Sequence, residues 1–352
     1  MSMGIGLLAA TAAVSVISAT VARLTHSGDF QSGGFARAPE GALDIANVPA
    51  PFFRDPIFDG AADPSVVWNE REHAWYVFYT QRRANQALPG VSWYYGTKIG
   101  IAKSVDGGRN WDYFGTAKGL SHKLPAETYW APHVFFADGK YHMFVAFIPM
   151  IAILDWSGKG QISHFTSRDL TNWKFLGDVD VKSDNVIDPG VVQLRDGRWL
   201  MVFRDQNAGV RSAKVVSKDL EHWTRLSDVT GSSSHEAPVV LFWKDRFWLF
   251  VDEWQGIGVY ESPDGIHYTH NSLILDKPGK REDDGYLGSH PGVALAGDRA
   301  FVFYHVHAGR VVQQGPVLGR IDSPEYKRSS LQVAELELVD GKMTCDRDKH
   351  AK

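Results

Sequence analysis

The sequence predicts an all-β fold, a five-bladed β-propeller of four-stranded antiparallel blades, on three observations. A proline-led strand opening occurs five times. An aromatic, β-branched run follows each opening. A turn of the form Ser-x-Asp, then Gly or Leu, then an aromatic occurs four times.

The openings are Asp63-Pro64, Trp130-Ala131-Pro132, Asp188-Pro189, Glu236-Ala237-Pro238 and His290-Pro291. Each leads into a small or apolar stretch such as Ser65-Val66-Val67. Proline is tolerated at the first residues of a strand, where its missing N–H need not join the ladder, so the pattern marks strand starts. The runs Trp75–Tyr79, Tyr141–Val145, Trp199–Phe203, Phe247–Val251 and Ala300–Tyr304 follow. Turn signals at Asp138-Gly139, Asp196-Gly197, Lys244-Asp245 and Gly297-Asp298 precede four of them, which makes the local unit a hairpin. The Ser-x-Asp turns are Ser104–Trp111, Ser167–Trp173, Ser217–Trp223 and Ser262–Tyr268. Their Asp bonds backbone amides while the aromatic anchors the loop, a structural staple without a catalytic role. Openings about 50 to 70 residues apart leave room for four short strands per unit, and radial repetition of such units solves the exposed-edge problem. Ser329–Val339 and Lys342–Cys345 complete the fifth blade, and Pro51–Phe58 lies across an edge of the first.

Composition narrows the function. The 352 residues are 44% hydrophobic and carry a formal net charge of −4, with both signs interspersed. No basic stripe exists, so nucleic acid is not a partner. The single Cys345 rules out an internal disulfide and a thiolate zinc cluster. Gly4 to Ala22 has no charged residue and ends in small residues, as an export signal does. Its Ala, Ser, Thr and Gly content is weakly apolar for a membrane span. The expectation is a secreted or periplasmic protein without stable membrane association, divided into a leader (1–46, with Gly28 to Gly41 as linker), a propeller (47–345) and a tail (346–352).

In a propeller the first strand of every blade runs the same way along the axis. Asp63, Trp130, Asp188, Glu236 and His290 are therefore expected to ring one mouth of the central channel. Each residue alone has a structural reading, since an Asp before Pro often accepts only backbone hydrogen bonds. Three acids together change the balance. Two carboxylates ~6 Å apart at an effective dielectric of about 20 repel by roughly 2.8 kcal/mol, about two pKa units. One then stays protonated beside an ionised neighbour, the apparatus of glycoside hydrolysis.

This order of Asp-Pro, Trp-Ala-Pro, Asp-Pro and Glu-x-Pro resembles the five-bladed glycosidases of glycoside hydrolase family 43 and its relatives, from Asp55 to about Glu337. The resemblance implies a general base at Asp63, a pKa-tuning and orienting carboxylate at Asp188 and a general acid at Glu236. It implies cleavage of glycosidic bonds in plant or algal oligosaccharides or polysaccharides, with inversion expected. No cofactor is required. A structural calcium on the axis is a family feature, with the fifth-blade His290 as its pointer. His133 stands where the family usually carries an acid.

The substrate-binding candidates are Trp130, His133, His290, Arg82 and Trp93 of the insertion Gln81 to Thr97, Arg204, and Trp254 of the Asp252-Glu253-Trp254 segment. Aromatic faces stack on sugar rings and arginine forks suit carboxylates or sulfates, so anionic sugars enter the range of substrates. The rival readings are a non-catalytic carbohydrate-binding propeller and a phosphorylase of similar fold. A sialidase would need three carboxylate-binding arginines and a Tyr–Glu pair that the inner strands do not offer.

Overall fold

The computed structural model describes residues 32–209, 211–226, 234–311 and 322–351, together with Met1. Gly4 to Ala22, and with it the expected export signal, lies outside the described residues. Among the described residues no helix is long and apolar enough to cross a membrane.

A short strand β1 (Ala36–Ala38) precedes five antiparallel blades. Blade one is β2 (Ala61–Asn69), β3 (Ala74–Gln81), β4 (Lys98–Ser104) and β5 (Asp112–Thr116). Blade two is β6 (Thr128–Ala137), β7 (Lys140–Ile148), β8 (Gln161–Ser167) and β9 (Trp173–Asp178). Blade three is β10 (Val186–Gln193), β11 (Trp199–Asp205), β12 (Arg211–Ser217) and β13 (Trp223–Arg225). Blade four is β14 (Glu236–Trp243), β15 (Arg246–Asp252), β16 (Ile257–Ser262) and β17 (Thr269–Ile274). Blade five is β18 (Ser289–Ala296), β19 (Arg299–Val306), β20 (Ser330–Val339) and β21 (Lys342–Thr344). The five innermost strands touch in a closed ring, β18 meeting β2.

The core lies between neighbouring blades. Second strands are buried on both faces, which is why they read as unbroken runs such as Ala-Trp-Tyr-Val-Phe-Tyr-Thr-Gln rather than alternating. Val67, Phe78 and Ile101 of blade one pack on Val134, Met143 and Phe165 of blade two. The Ser-x-Asp turns link third and fourth strands as expected. Asp169, for example, accepts the amides of Thr171 (2.9 Å) and Asn172 (2.7 Å), while the Trp173 indole donates to the Leu170 carbonyl.

The prolines mark something other than strand starts. Every inner strand begins one to three residues before its Asp, Ala or His-Pro pair, and the pair forms a β-bulge. In all five, the residue before proline has positive φ: Asp63 56°, Ala131 48°, Asp188 56°, Ala237 54° and His290 48°. This is uncommon for a residue with a Cβ. Trp130 and Glu236 thus stand one place ahead of Asp63, Asp188 and His290 in the register, and Ala131 and Ala237 occupy the equivalent bulge positions.

The fold begins earlier than Asn47. The Ser32 hydroxyl donates to the Gln193 carbonyl (2.6 Å), and the Gln193 amide donates to Gly33 (3.0 Å), at the end of β10 far from its bulge. The chain turns at Gly34 and Phe35 inside the channel, then leaves as β1, parallel to β18 with Ala36 opposite Ala294. Residues 32–38, expected as linker, plug the axis. The expected tail is anchored too: Arg347 contacts the fully buried Asp284 and donates to the carbonyls of Lys277 (2.6 Å) and Tyr286 (2.8 Å).

Gly34 has φ 99°, and a Cβ there would lie 2.3 Å from the Val191 carbonyl oxygen. Gly34→Ala is expected to lower stability to urea unfolding by about 2 to 4 kcal/mol, from strain and overpacking together. A loss below about 0.5 kcal/mol, inside the range of surface substitutions, would show that the segment is not seated on the axis.

Candidate active site

The bulges create a chemical need. Each frees the amide of its positive-φ residue from the ladder, and a buried free N–H is costly. In four blades a side chain of the preceding blade accepts it. The Asp63 amide donates to His305 Nδ1 (3.3 Å) and the Ala131 amide to Thr80 Oγ1 (2.9 Å). The Ala237 amide donates to Asp188 Oδ2 (3.2 Å) and the His290 amide to Asp252 Oδ2 (3.0 Å). Polar groups are thereby drawn to the axis by backbone requirements alone.

All of them but Thr80 face a cavity of about 510 Å³ at the mouth. Asp63, Trp130, Asp188, Glu236 and His290 all line it, as do Arg82, Arg204 and Trp254. Two candidates do not. His133 points into the axis, its Nε2 2.7 Å from the Gly34 carbonyl and 3.0 Å from that of Val191. Burial lowers its pKa to about 4, so it is a neutral donor that ties the plug to blade two. Trp93 is buried behind Tyr94, ring centroids 3.6 Å apart, and it is Tyr94 that meets the cavity.

The lining includes residues that the inner strands do not supply. Second strands end at the same mouth, and there residues two apart point the same way. Arg204 and Gln206, Asp252 and Trp254, and His305 and His307 are such pairs, with Arg82 and Ile148 at the matching places of blades one and two. His305, His307, Arg310 and Trp156 were not among the candidates. The ends of the five aromatic runs are the signal for the two histidines; no periodicity points to Arg310 or Trp156.

The four carboxyls occupy different electrostatic settings. Burial by itself would raise the Asp63 pKa, but Arg82 and then His290 hold it well below the usual range. Arg82 Nη2 lies 2.7 Å from Asp63 Oδ1, and His290 Nδ1 lies 3.3 Å from the same oxygen. Glu236 is pushed up to about 8, first by burial and then by the charges of Asp188 and Asp252, against the contact it makes with Arg204. Burial likewise raises Asp188 and pushes Asp252 up to about 6. One carboxyl is held ionised and another held protonated within one cavity.

Aromatic rings form the wall above them. Trp130 donates through Nε1 to the Tyr94 carbonyl (2.6 Å), Tyr94 packs against Trp156 with ring centroids 4.6 Å apart and planes tilted by 49°, and Trp254 Nε1 reaches Glu236 at 3.3 Å. Trp156 and Trp254 remain 63% and 47% exposed, an unusual state for large apolar rings at a cavity rim.

The donor set does not fit an axial calcium. Calcium takes six to eight oxygens, and the His290 imidazole is engaged through Nδ1 by Asp63. Among the described residues no group of three or more His, Cys, Asp or Glu is disposed to hold a metal ion. Below the mouth, Phe35, His133 and the prolines leave a void of only about 20 Å³.

No family model matches the chain, and no curated protein does. Solved structures match in fold. A β-xylosidase/α-arabinofuranosidase of glycoside hydrolase family 43 from a compost microbial metagenome, in complex with xylotriose, is 14% identical, covers 83% of this chain and 96% of its own, and has a TM-score of 0.62. A family 43 enzyme from Xanthomonas citri complexed with xylotriose is 14% identical over 86% and 95%, with a TM-score of 0.62. A family 32 β-fructofuranosidase from Bombyx mori is 15% identical over 87% of this chain and 66% of its own, with a TM-score of 0.59. The chain has the five-bladed propeller fold of these glycoside hydrolase structures.

The protonation of Glu236 is open to direct measurement. Removing a neighbouring negative charge with Asp252→Asn is expected to lower the Glu236 pKa, and Arg204→Gln, which removes a positive one, to raise it. Carboxyl titration by carbon NMR reads both; shifts of equal sign would refute the electrostatic origin.

Proposed function

We propose that this protein is a glycoside hydrolase acting by general acid and general base catalysis at the propeller mouth, on oligosaccharides or polysaccharides of plant or algal origin. The observation that carries the reading is the division of labour among the carboxyls of the cavity: buried Asp63 held ionised by Arg82, and half-buried Glu236 held protonated by desolvation and by the charges of Asp188 and Asp252. The rings of Trp130, Tyr94, Trp156 and Trp254 offer apolar faces of the kind sugars stack on. The fold shared with family 43 and family 32 hydrolase structures raises the prior without supplying the roles.

In the proposed reaction Glu236 gives its proton to the glycosidic oxygen as the bond to the anomeric carbon breaks. Arg204, already in contact with Glu236, stabilises the carboxylate left behind. Asp63 takes the proton of the water that attacks the oxocarbenium-like centre, and Arg82 fixes the orientation of its carboxylate. Asp188 keeps Glu236 protonated by its charge and holds the Ala237 amide beside it. Inversion is the expected outcome of a base that activates water while a separate acid protonates the leaving oxygen.

Glu236→Gln is expected to reduce kcat by about 10² to 10⁴ on substrates with poor leaving groups, and much less on activated aryl glycosides, which need no acid. Because the protonated form of Glu236 is the active one, kcat/KM should fall as pH rises through about 8. NMR of the first-formed sugar should show the anomer opposite to the substrate. Full activity of Glu236→Gln on natural linkages would refute the assignment.

A further inference from the structure

The cationic groups of the cavity are unequally used. Arg204 is engaged by Glu236. Arg82 is engaged by Asp63 and by His307, whose Nε2 accepts from Arg82 Nη1 at 3.5 Å while its Nδ1–H donates to the Arg328 carbonyl at 3.1 Å. Arg310 is different. Its Nε donates to the Tyr326 carbonyl (3.3 Å) and its guanidinium lies 4.5 Å above the Tyr326 ring, yet no carboxylate among the described residues pairs with it. Residues 312–321, which follow closely, read VQQGPVLGRI and contain no acid.

Arg310 is also held in place. Its amide closes a turn onto the His307 carbonyl (2.9 Å), and at Gly309 a Cβ would lie 2.0 Å from the Glu325 carbonyl oxygen, so the turn sits directly against the chain at Pro324–Lys327. Stacking on Tyr326 and the Nε hydrogen bond fix the plane of the guanidinium and leave its two terminal nitrogens for a partner. A planar fork of this kind matches a carboxylate in bidentate fashion. The neutral imidazoles of His305 and His307 line the same corner and add no competing negative charge.

We propose that Arg310, in the corner lined by His305 and His307, recognises an anionic group, a carboxylate, on the sugar that the cavity binds, so that the substrate is a uronic acid glycoside or an oligosaccharide containing one. The assignment rests on the glycosidase reading for turnover but not for binding. A neutral sugar leaves Arg310 without a carboxylate partner among the described residues, and a site built around a charged hydrogen bond discriminates against the analogue that lacks it.

The test uses matched aryl glycosides and oligosaccharides that differ only in a C6 carboxylate, a C6 hydroxymethyl or a C6 sulfate ester, with the full chain and with Arg310→Gln and Arg310→Lys. Hydrolysis is followed by kcat/KM, and binding by calorimetry on Glu236→Gln, with thermal unfolding as the check on folding. The carboxylate member is expected to be preferred over its neutral twin by about 10- to 100-fold. Arg310→Gln should collapse that ratio towards one, and Arg310→Lys should retain part of it. Preference for the sulfate ester over the carboxylate would keep the anion site and overturn its assignment to carboxylates. Equal or better use of the neutral twin, or an unchanged ratio in Arg310→Gln, would overturn the proposal while leaving the glycosidase reading intact. Selective binding of the uronate without turnover by the full chain would uphold the corner and sink the glycosidase. Neither binding nor turnover of any member would sink both.

Discussion

The amide released by each axial bulge is the constraint on which the rest of this molecule depends. A propeller must bring five strands together at a narrow axis, and here each strand kinks at a residue of positive φ followed by proline. The kink strands an N–H, and the neighbouring blade supplies Thr80, Asp188, Asp252 or His305 to receive it. Three of the side chains that join blade to blade, Asp188, Asp252 and His305, therefore stand at the mouth. Closure of the ring and polarity of the cavity arise from one requirement, which means that Asp188 and Asp252 cannot be read as catalytic or structural alone.

That concentration of buried polar groups sets the protonation pattern. A carboxylate removed from water is costly unless paired. Asp63 meets the cost through Arg82 and His290. Glu236 has Arg204 against it but also lies near Asp188 and Asp252, and the lower-cost state is the protonated one. Proximity of unlike environments, not the identity of the acids, separates the protonated carboxyl from the ionised one.

Much of this was legible in the chain. Five prolines in phase with five aromatic runs gave the blade count, because both are fixed by backbone rules that act within a few residues. The three acids at the mouth followed from the direction of the inner strands. The register did not follow, since Trp130 and Glu236 share a proline-led motif with Asp63 and Asp188 while standing one residue ahead of the bulge. His133 was misread as a substrate contact because the group it binds, the Gly34 carbonyl, comes from a glycine-rich stretch that resembles a linker. Trp93 and Tyr94 are adjacent, and only packing decides which faces the cavity. His305 and His307 were hidden for a different reason: they close a strand whose buried run announces core rather than site.

The plug formed by Ser32 to Ala38 has a kinetic consequence. With Phe35 beneath the mouth and only a water-sized void around it, the channel is blind at one end. Whatever enters the cavity must depart through the same opening, so the departing molecule occupies the path that its successor needs. For the proposed hydrolase, an opening of this kind would tie turnover to the rate of escape as much as to bond breaking.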